Sequence, residues 1–442
     1  MMTGQEIKEQ DLKYNLHSWS KQGKLNPISV AKSEGIYFWD YDGKRYTDMS
    51  SQLVNLNLGH GNAAIIKAIQ QQAEKLCFIA PSYAVEPRSI LAKMIIDLLP
   101  DNMGKVFFTN GGADANENAV KMARMFTGRN KVLSRYRSYH GSTYGAGNLT
   151  GEPRRFPLEP GIPGFVKFFD PYVYRELIEF ESSTKASEYY VAKLREQVRY
   201  EGVNNVAGIV LETVTGSNGI IIPPDGYLQG VRKICDDYGI MLICDEVMTG
   251  YGRTGKMFAF EHWGIKPDIV TFAKGVTCGY VPLGGAAVSK EIAAYFDDNT
   301  LLCGLTYSGH PLACAAGVAA LNYYQDADIL ANVQKVGKLL GILLEEIKEK
   351  HACVGDVRYI GMFAAVELVK DKSTKQPLVE YGEDPQGLMS RIVKMLAQKS
   401  FMTYSHENMI IVAPPLIITQ QQLAETMPIL DEVLDIVDKE ML

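Results

Sequence analysis

The sequence predicts an α/β protein: a mostly parallel central sheet with helices on both faces, accompanied by a smaller α+β domain. Three observations carry this. From about residue 105, short and nearly continuous apolar runs alternate with amphipathic helical segments, the texture of a sheet covered on both sides. After about residue 320 that alternation gives way to longer helices and isolated apolar strands. Finally, Glu212, Asp245 and Lys274 each stand at the carboxyl end of an apolar run, where sheets of this kind place ligands.

Taken in order, residues 1 to about 25 read as a polar arm. "GIYFWDYDGKRYTDM" (35–49) has two strand-like runs about a "YDGK" turn, which predicts a hairpin. "NAAIIKAIQQQAEKLC" places Ile65, Ile69, Ala73 and Leu76 on one helical face. "KVFFT" is a strand, and "GGADANENAVKMARMF" a helix opening on glycines. "VAGIVLE" (206–212), "IMLICDE" (240–246) and "DIVTFAK" (268–274) are strands; between the first two, "DGYLQGVRKICDDYG" is a helix with Leu228, Val231 and Cys235 on its apolar face. Further on, "VQKVGKLLGILLEEIKE" is a helix, "GMFAAVELV" (361–369) a strand, and "MIIVAPPLIIT" a strand broken by Pro414 and Pro415. The last helix follows Thr419, with Gln422 as its capping-box partner and Leu423, Met427, Leu430, Leu434 and Val437 on the buried side. These elements divide the chain into an N-terminal arm with small-domain strands (1–60), a large domain (61–320) and a C-terminal small domain (321–442).

Composition narrows the function classes. A chain of 442 residues, 46% hydrophobic, can bury a large core. Its 45 basic and 51 acidic residues are interspersed, with a net charge of -6, which argues against a nucleic-acid surface and against a basic membrane-binding face. The seven cysteines have no CxxC pair and read as reduced thiols. "MMTGQEIKEQDLKYN" is too polar for a signal peptide, and no apolar run is long enough to span a bilayer; the expectation is a cytoplasmic protein. His60, His140, His262 and His310 lack zinc-like spacing, so no metal is expected, and "GHG" and "SGHP" read as turns whose imidazoles bond locally.

Four stretches could carry chemistry. Lys274, in "TFAKG", is either a snorkelling side chain at a strand end or an amine desolvated enough to attack a carbonyl and form a Schiff base. Asp245 interrupts a strand apolar enough to be central; it is either a structural ion pair or a carboxylate facing a protonated pyridine nitrogen. Glu246 points the other way if the strand continues, and an ion pair is expected for it. "TNGGADANENAVKMAR" (109–124) is a tight turn into a helix, whose free N–H groups suit a phosphate, although neither P-loop nor GxGxxG spacing is present. "RYRSYHGSTYGAGNLTG" (135–151) is rich in rings, hydroxyls and glycines, as loops at flat-ligand sites and ordinary surface loops both are.

Together these segments resemble the class III pyridoxal phosphate (PLP)-dependent aminotransferases of fold type I, the ω-aminotransferase group. The markers are "FFTNGGADANENAVKMAR", "YRSYHGST", "LETVTGSNGIIIPP", "ICDEVMTGYGRTGKMFAFEHWGIKPDI", "FAKG" and "GLTYSGHPLACAA", spread in this order over nearly the whole chain. "LHSWSKQGKLNPISV", "SSQLVNLNLGHG", "CFIAPSYA" and "VLSRYRSYHGST" are most similar to the taurine:pyruvate branch. The resemblance implies a seven-stranded central sheet and PLP bound to Lys274, which would then shuttle the proton between substrate Cα and cofactor. It further implies Asp245 at the pyridine nitrogen, Val247 beneath the ring, Tyr139 stacked on the other face with His140 beside it, and Gly112 and Ala113 at the phosphate. Glu212 would sit near the cofactor's hydroxyl side, and Thr306 would reach the phosphate in the neighbouring subunit of a homodimer or tetramer. Trp19, Leu53, Tyr83 and Tyr404 are substrate-pocket candidates.

The implied reaction moves an amino group from a terminal-amine donor such as taurine or β-alanine to pyruvate, giving an aldehyde and alanine. Alternatives are a 4-aminobutyrate-type reaction with 2-oxoglutarate, a class III racemase or aminomutase, and a catalytically silent binding or oligomerising module. Three positions depart from the family pattern. Ala113 stands where serine is usual, Thr213 where proline is common, and Tyr404 where many pyruvate-using relatives carry a carboxylate-binding arginine. A tyrosine cannot supply that bidentate charged fork, so either another arginine, such as Arg88 or Arg154, supplies the charge or carboxylate recognition is weaker or differently built.

Overall fold

The computed structural model describes residues 2–441, and the elements that position a site are its three sheets. The first begins with β1 (Val30–Glu34), β2 (Tyr37–Asp40) and β3 (Arg45–Asp48). The β2–β3 hairpin turns as its sequence predicts: the Asp40 N–H donates to the Lys44 carbonyl at 3.1 Å, and Gly43 takes the left-handed φ of +81° that a side chain would resist. Before it, the polar arm forms a helix, Gly4–Tyr14, with no buried residue.

The central sheet has seven strands: β4 (Met103–Thr109), β5 (Lys131–Arg135), β6 (Phe165–Phe168), β7 (Val206–Glu212), β8 (Met241–Asp245), β9 (Ile269–Phe272) and β10 (Gly284–Ser289). Their spatial order is β4-β10-β9-β8-β7-β5-β6; β10 runs antiparallel to both neighbours and the remaining pairs are parallel. Every residue of β7 and β9 is buried, which explains their unbroken apolar sequences. Strand alternation then sorts the side chains. Leu242, Cys244, Val270 and Phe272 pack on the face of the Tyr227–Tyr238 helix, with its Leu228, Val231 and Cys235. Ile243 and Ile269 pack on the opposite face with Ala119, Val120 and Ala123 of the Gly112–Thr127 helix. By the same period of two, Asp245 and Thr271 are directed at that helix. Register sets their spacing: Glu212 pairs with Asp245, and Asp245 with Thr271.

The third sheet comprises β11 (Val354–Ile360), β12 (Phe363–Asp371), β15 (Ser405–His406) and β16 (Met409–Val412), with β13 (Gln376–Pro377) beside β12. Between them β14 (Phe401–Met402) returns to pair in parallel with β3, Phe401 opposite Thr47 and Met402 opposite Asp48. The N-terminal hairpin is thus completed by a strand from far along the chain. The prolines at 414 and 415 stop β16 at Val412, shorter than the apolar run. In the final helix, Gln420–Glu440, the Gln422 N–H donates to Thr419 Oγ1 at 3.1 Å and the Thr419 N–H to Gln422 Oε1 at 2.9 Å. Its five expected core residues are all buried.

Two expectations are corrected. In the Ala63–Lys75 helix, Gln72 rather than Ala73 takes the inward position; its Nε2 is satisfied by the Leu76 carbonyl at 2.8 Å. Glu246 has no cation partner. The strand ends at Asp245, and Glu246 is buried against four neutral donors, the hydroxyls of Thr213 and Thr249 and the N–H groups of Ala259 and Phe260. Burial pushes its carboxyl upward. Among the described residues, no helix is long and apolar enough to cross a membrane.

Candidate active site

Asp245, only 3% exposed, lies at the end of β8 and accepts three hydrogen bonds. Oδ2 takes His140 Nδ1 at 2.7 Å and Asn116 Nδ2 at 2.8 Å; Oδ1 takes the Val247 N–H at 3.0 Å. These donors offset much of the cost of burying the carboxylate. His140 Nε2 remains buried without a partner. Asn116 locks the group together, since its Nδ2 also reaches the His140 carbonyl at 2.9 Å and its Oδ1 accepts from Thr271 Oγ1 at 2.8 Å. One amide therefore ties helix, loop, β8 and β9.

Lys274 follows β9 in a left-handed conformation, φ +47°. Its amine is pulled down to about 8, first by burial, against the opposing pull of Asp245 and Glu212; Arg154 and Arg253 lower it further. The following Gly275 is required by contact: a Cβ there would stand 2.7 Å from Asn57 Nδ2 and 2.9 Å from Tyr251 Cβ. Glu212 accepts from the N–H groups of Tyr139 (3.0 Å) and Gly216 (2.6 Å), and burial raises its carboxyl.

Around these groups lies a cavity of about 420 Å³, lined by Gly112, Ala113, Tyr139, His140, Glu212, Asp245, Val247, Lys274 and Leu53 among others. This volume is ordinary for a small-molecule site. The Gly112–Thr127 helix begins at its wall, and no side chain caps its first turn, which leaves N–H groups and the positive dipole end available to an anion. A Cβ at Gly112 would come within 2.9 Å of both Val247 methyls, so the glycine permits the close approach of that turn to Val247.

The remaining candidates separate. Thr306 is exposed and does not line this cavity. Tyr83, 61% exposed, is absent from the lining too; its carbonyl accepts from Arg88 Nη1 at 3.0 Å. Arg88 does not line the cavity either: its Nε donates to the Gly309 carbonyl (3.0 Å) and its Nη1 also to that of Pro81 (2.9 Å), while its Nη2 is buried without a partner. Arg154 is not among the residues lining the cavity, but it stacks on Tyr139, which is. Its guanidinium carbon lies 3.8 Å from the Tyr139 ring centre and 5.3 Å from that of Trp19, and the two rings meet edge to face at 6.2 Å. Tyr404 is partly buried in the link between β14 and β15; burial raises its phenol while Arg154 and Arg253 oppose that shift.

Several groups escaped the sequence reading. Asn116 and Thr271 carry no motif of their own; only the strand period and register could have pointed to them. Arg253 is fully buried and donates to the carbonyls of Met362 and Pro414, to Ser51 Oγ and to Asn57 Oδ1, fixing the segments behind Lys274. The histidine turns also differ from expectation: His60 Nε2 meets Asp48 at 3.2 Å rather than a local group, and His310 Nδ1 is buried without a partner. His351, passed over in the sequence, gathers Asp435 and Asp438, but both ring nitrogens face carboxylates at 2.7 and 2.9 Å (Asp438 and Asp431), an ion-pair arrangement.

Known proteins share this architecture. Residues 19–434 match the family described as aminotransferase class-III. The structure of a taurine:2-oxoglutarate aminotransferase from Bifidobacterium kashiwanohense, in complex with PLP and glutamate, superimposes with a TM-score of 0.98 at 52% identity, covering 100% of both chains. An (S)-enantioselective omega-transaminase from Thermomicrobium roseum gives 0.94 at 34% identity over 99% of each chain. In sequence, the taurine–pyruvate aminotransferase of Bilophila wadsworthia is 31% identical over 98% of each chain.

Proposed function

The chain belongs to the class III aminotransferases, and on that premise we propose that it transfers the amino group of a terminal amine with an anionic end, taurine or a near analogue such as β-alanine, to 2-oxoglutarate. The observation that carries this reading is the 52% identity, over complete lengths, to the taurine:2-oxoglutarate aminotransferase that was crystallised with glutamate, the product 2-oxoglutarate would give. A second reading, with pyruvate as acceptor, is favoured by the Bilophila relative at 31%.

The cofactor is pyridoxal 5′-phosphate, and the residues present fit it. A carboxylate is buried at one end of the cavity, an uncapped helix start and a glycine cradle stand at its wall, and an amine with a lowered pKa projects from the end of β9. When bound, the group supplies an aldehyde carbon that condenses with amines and a cationic ring that withdraws electrons from the substrate carbon. Lys274 would hold it through Nζ, with the N–H groups of Gly112 and Ala113 at the phosphate and Tyr139 and Val247 on the two ring faces.

Asp245 would keep a proton at the ring nitrogen, with His140 and Asn116 holding the carboxylate in place. Glu212, fixed by two backbone N–H groups, would serve the hydroxyl side. Lys274 Nζ would be the base that carries the proton from the amine-bearing carbon, a role for which desolvation favours its neutral form. Arg154, stacked on Tyr139 beside Trp19, is the candidate anchor for the sulfonate or carboxylate.

A homodimer with shared sites belongs to the same reading. Thr306 is exposed on its own chain, away from the cavity, and Phe78 (42%), Tyr83 (61%), Leu302 (73%) and Tyr307 (56%) are exposed large side chains in the same part of the sequence or packed beside it. Holoenzyme with taurine and each oxo acid in turn provides the test. Glutamate formed faster than alanine supports the proposal. Alanine without glutamate moves the assignment to pyruvate, and neither product, or amine rearranged without any oxo acid, overturns it.

A further inference from the structure

Resting on Arg154 as the anchor for the donor's anion, we propose that Glu152 is the positioning residue for that anchor, setting which edge of the guanidinium meets the substrate. Glu152 is 1% exposed, and its Oε1 accepts from Arg154 Nε. Ser217 Oγ takes one Nη2 hydrogen at 3.3 Å. The Tyr139 ring covers a face of the guanidinium at 3.8 Å.

A guanidinium is a planar fork of five N–H donors, and an oxyanion is read best by two parallel ones. Here the Nε–Nη2 edge is pinned and one face is stacked. Among the described residues Nη1 has no hydrogen-bond partner, so the Nη1–Nη2 edge is the one left to a sulfonate or carboxylate. Without Glu152 the arginine could rotate about its last torsions, and its Nε would compete for the same anion. A buried carboxylate so close to an anion-binding site would repel the substrate unless it served the arginine, and its pairing with Nε gives it that use.

A structural role alone, as the residue leading into the Pro153–Leu158 turn, predicts different behaviour. It would lower stability and affect every amine donor alike. The positioning role predicts selective loss of anionic donors.

The test compares taurine with propylamine, an amine without an anionic end, in single-turnover reactions of the holoenzyme read at the cofactor absorption band. Glu152→Ala should lower the taurine-to-propylamine ratio of kcat/KM by about tenfold or more, mainly through KM, the scale of losing one well-aligned hydrogen bond to a charged group. Glu152→Gln, whose amide oxygen can still accept from Nε, should recover most of that ratio. An unchanged ratio in Glu152→Ala, or a Glu152→Gln ratio as low as that of Glu152→Ala, overturns the proposal. Arg154→Ala run in parallel separates the two readings. If it leaves the ratio intact, Arg154 is not the anchor; if it collapses the ratio while Glu152→Ala does not, only the positioning role fails.

Discussion

His140 and Asp245 meet at 2.7 Å, Nδ1 to Oδ2, where both side chains are almost completely withdrawn from solvent. The contact matters because it joins the loop carrying Tyr139 to the end of the central strand β8. It also orients a carboxylate that has no lysine or arginine bonded to it.

Asp245→Asn keeps the shape and an acceptor for His140, yet removes the charge that holds a proton on the cofactor's ring. We expect turnover to fall by about 10²- to 10⁴-fold, the usual scale for losing a group that controls a proton. The fold should survive, so steady-state kinetics and circular dichroism together check this outcome.

The lowered amine of Lys274 makes a signed prediction. Below about pH 8 the amine is mostly protonated and cannot attack an aldehyde; above it the neutral form dominates. Capture of added PLP by apoenzyme should therefore accelerate as pH rises through about 8, not through the 10.5 of an ordinary lysine. Stopped-flow absorbance at graded pH provides the measurement.

Glu367 on β12 is 1% exposed and receives Arg358 Nη1 at 2.6 Å and Arg175 Nε at 2.6 Å, with the Tyr172 hydroxyl also bonded to it. Arg358 continues to the Gly219 carbonyl at 2.7 Å, so the cluster links the third sheet to segments of the central one. Glu367→Ala leaves Arg175 without its carboxylate and Arg358 with only Asp356, at 2.8 Å, and should destabilise by about 3 kcal/mol in urea unfolding.

Tyr404→Arg introduces the charge that the family resemblance leads one to expect at this position. If Tyr404 walls the acceptor's space, the ratio of rates with pyruvate and 2-oxoglutarate should change while the cofactor absorption stays the same. An unaltered ratio would remove Tyr404 from that wall.

Much of the central sheet was legible because burial on both faces leaves a direct trace in sequence, as in "VAGIVLE" and "IMLICDE". The last helix was legible for a local reason, its Thr419–Gln422 cap. What sequence could not supply were relations across the chain. Asn116 gains its importance only when register sets Thr271 and Asp245 beneath its helix. Glu246 was misjudged because its partners are backbone N–H groups and hydroxyls, which carry no charge signature. Arg154 could be named as one of two arginines, but only packing against Tyr139, which lines the cavity, distinguished it from Arg88.

The measurement that bears most directly on the account is reductive trapping. Holoenzyme treated with borohydride, digested and sequenced by mass spectrometry should carry the cofactor's mass on Lys274, and the Lys274→Ala protein should carry none. Label on a different lysine, or unlabelled Lys274 in cofactor-saturated protein, would contradict it.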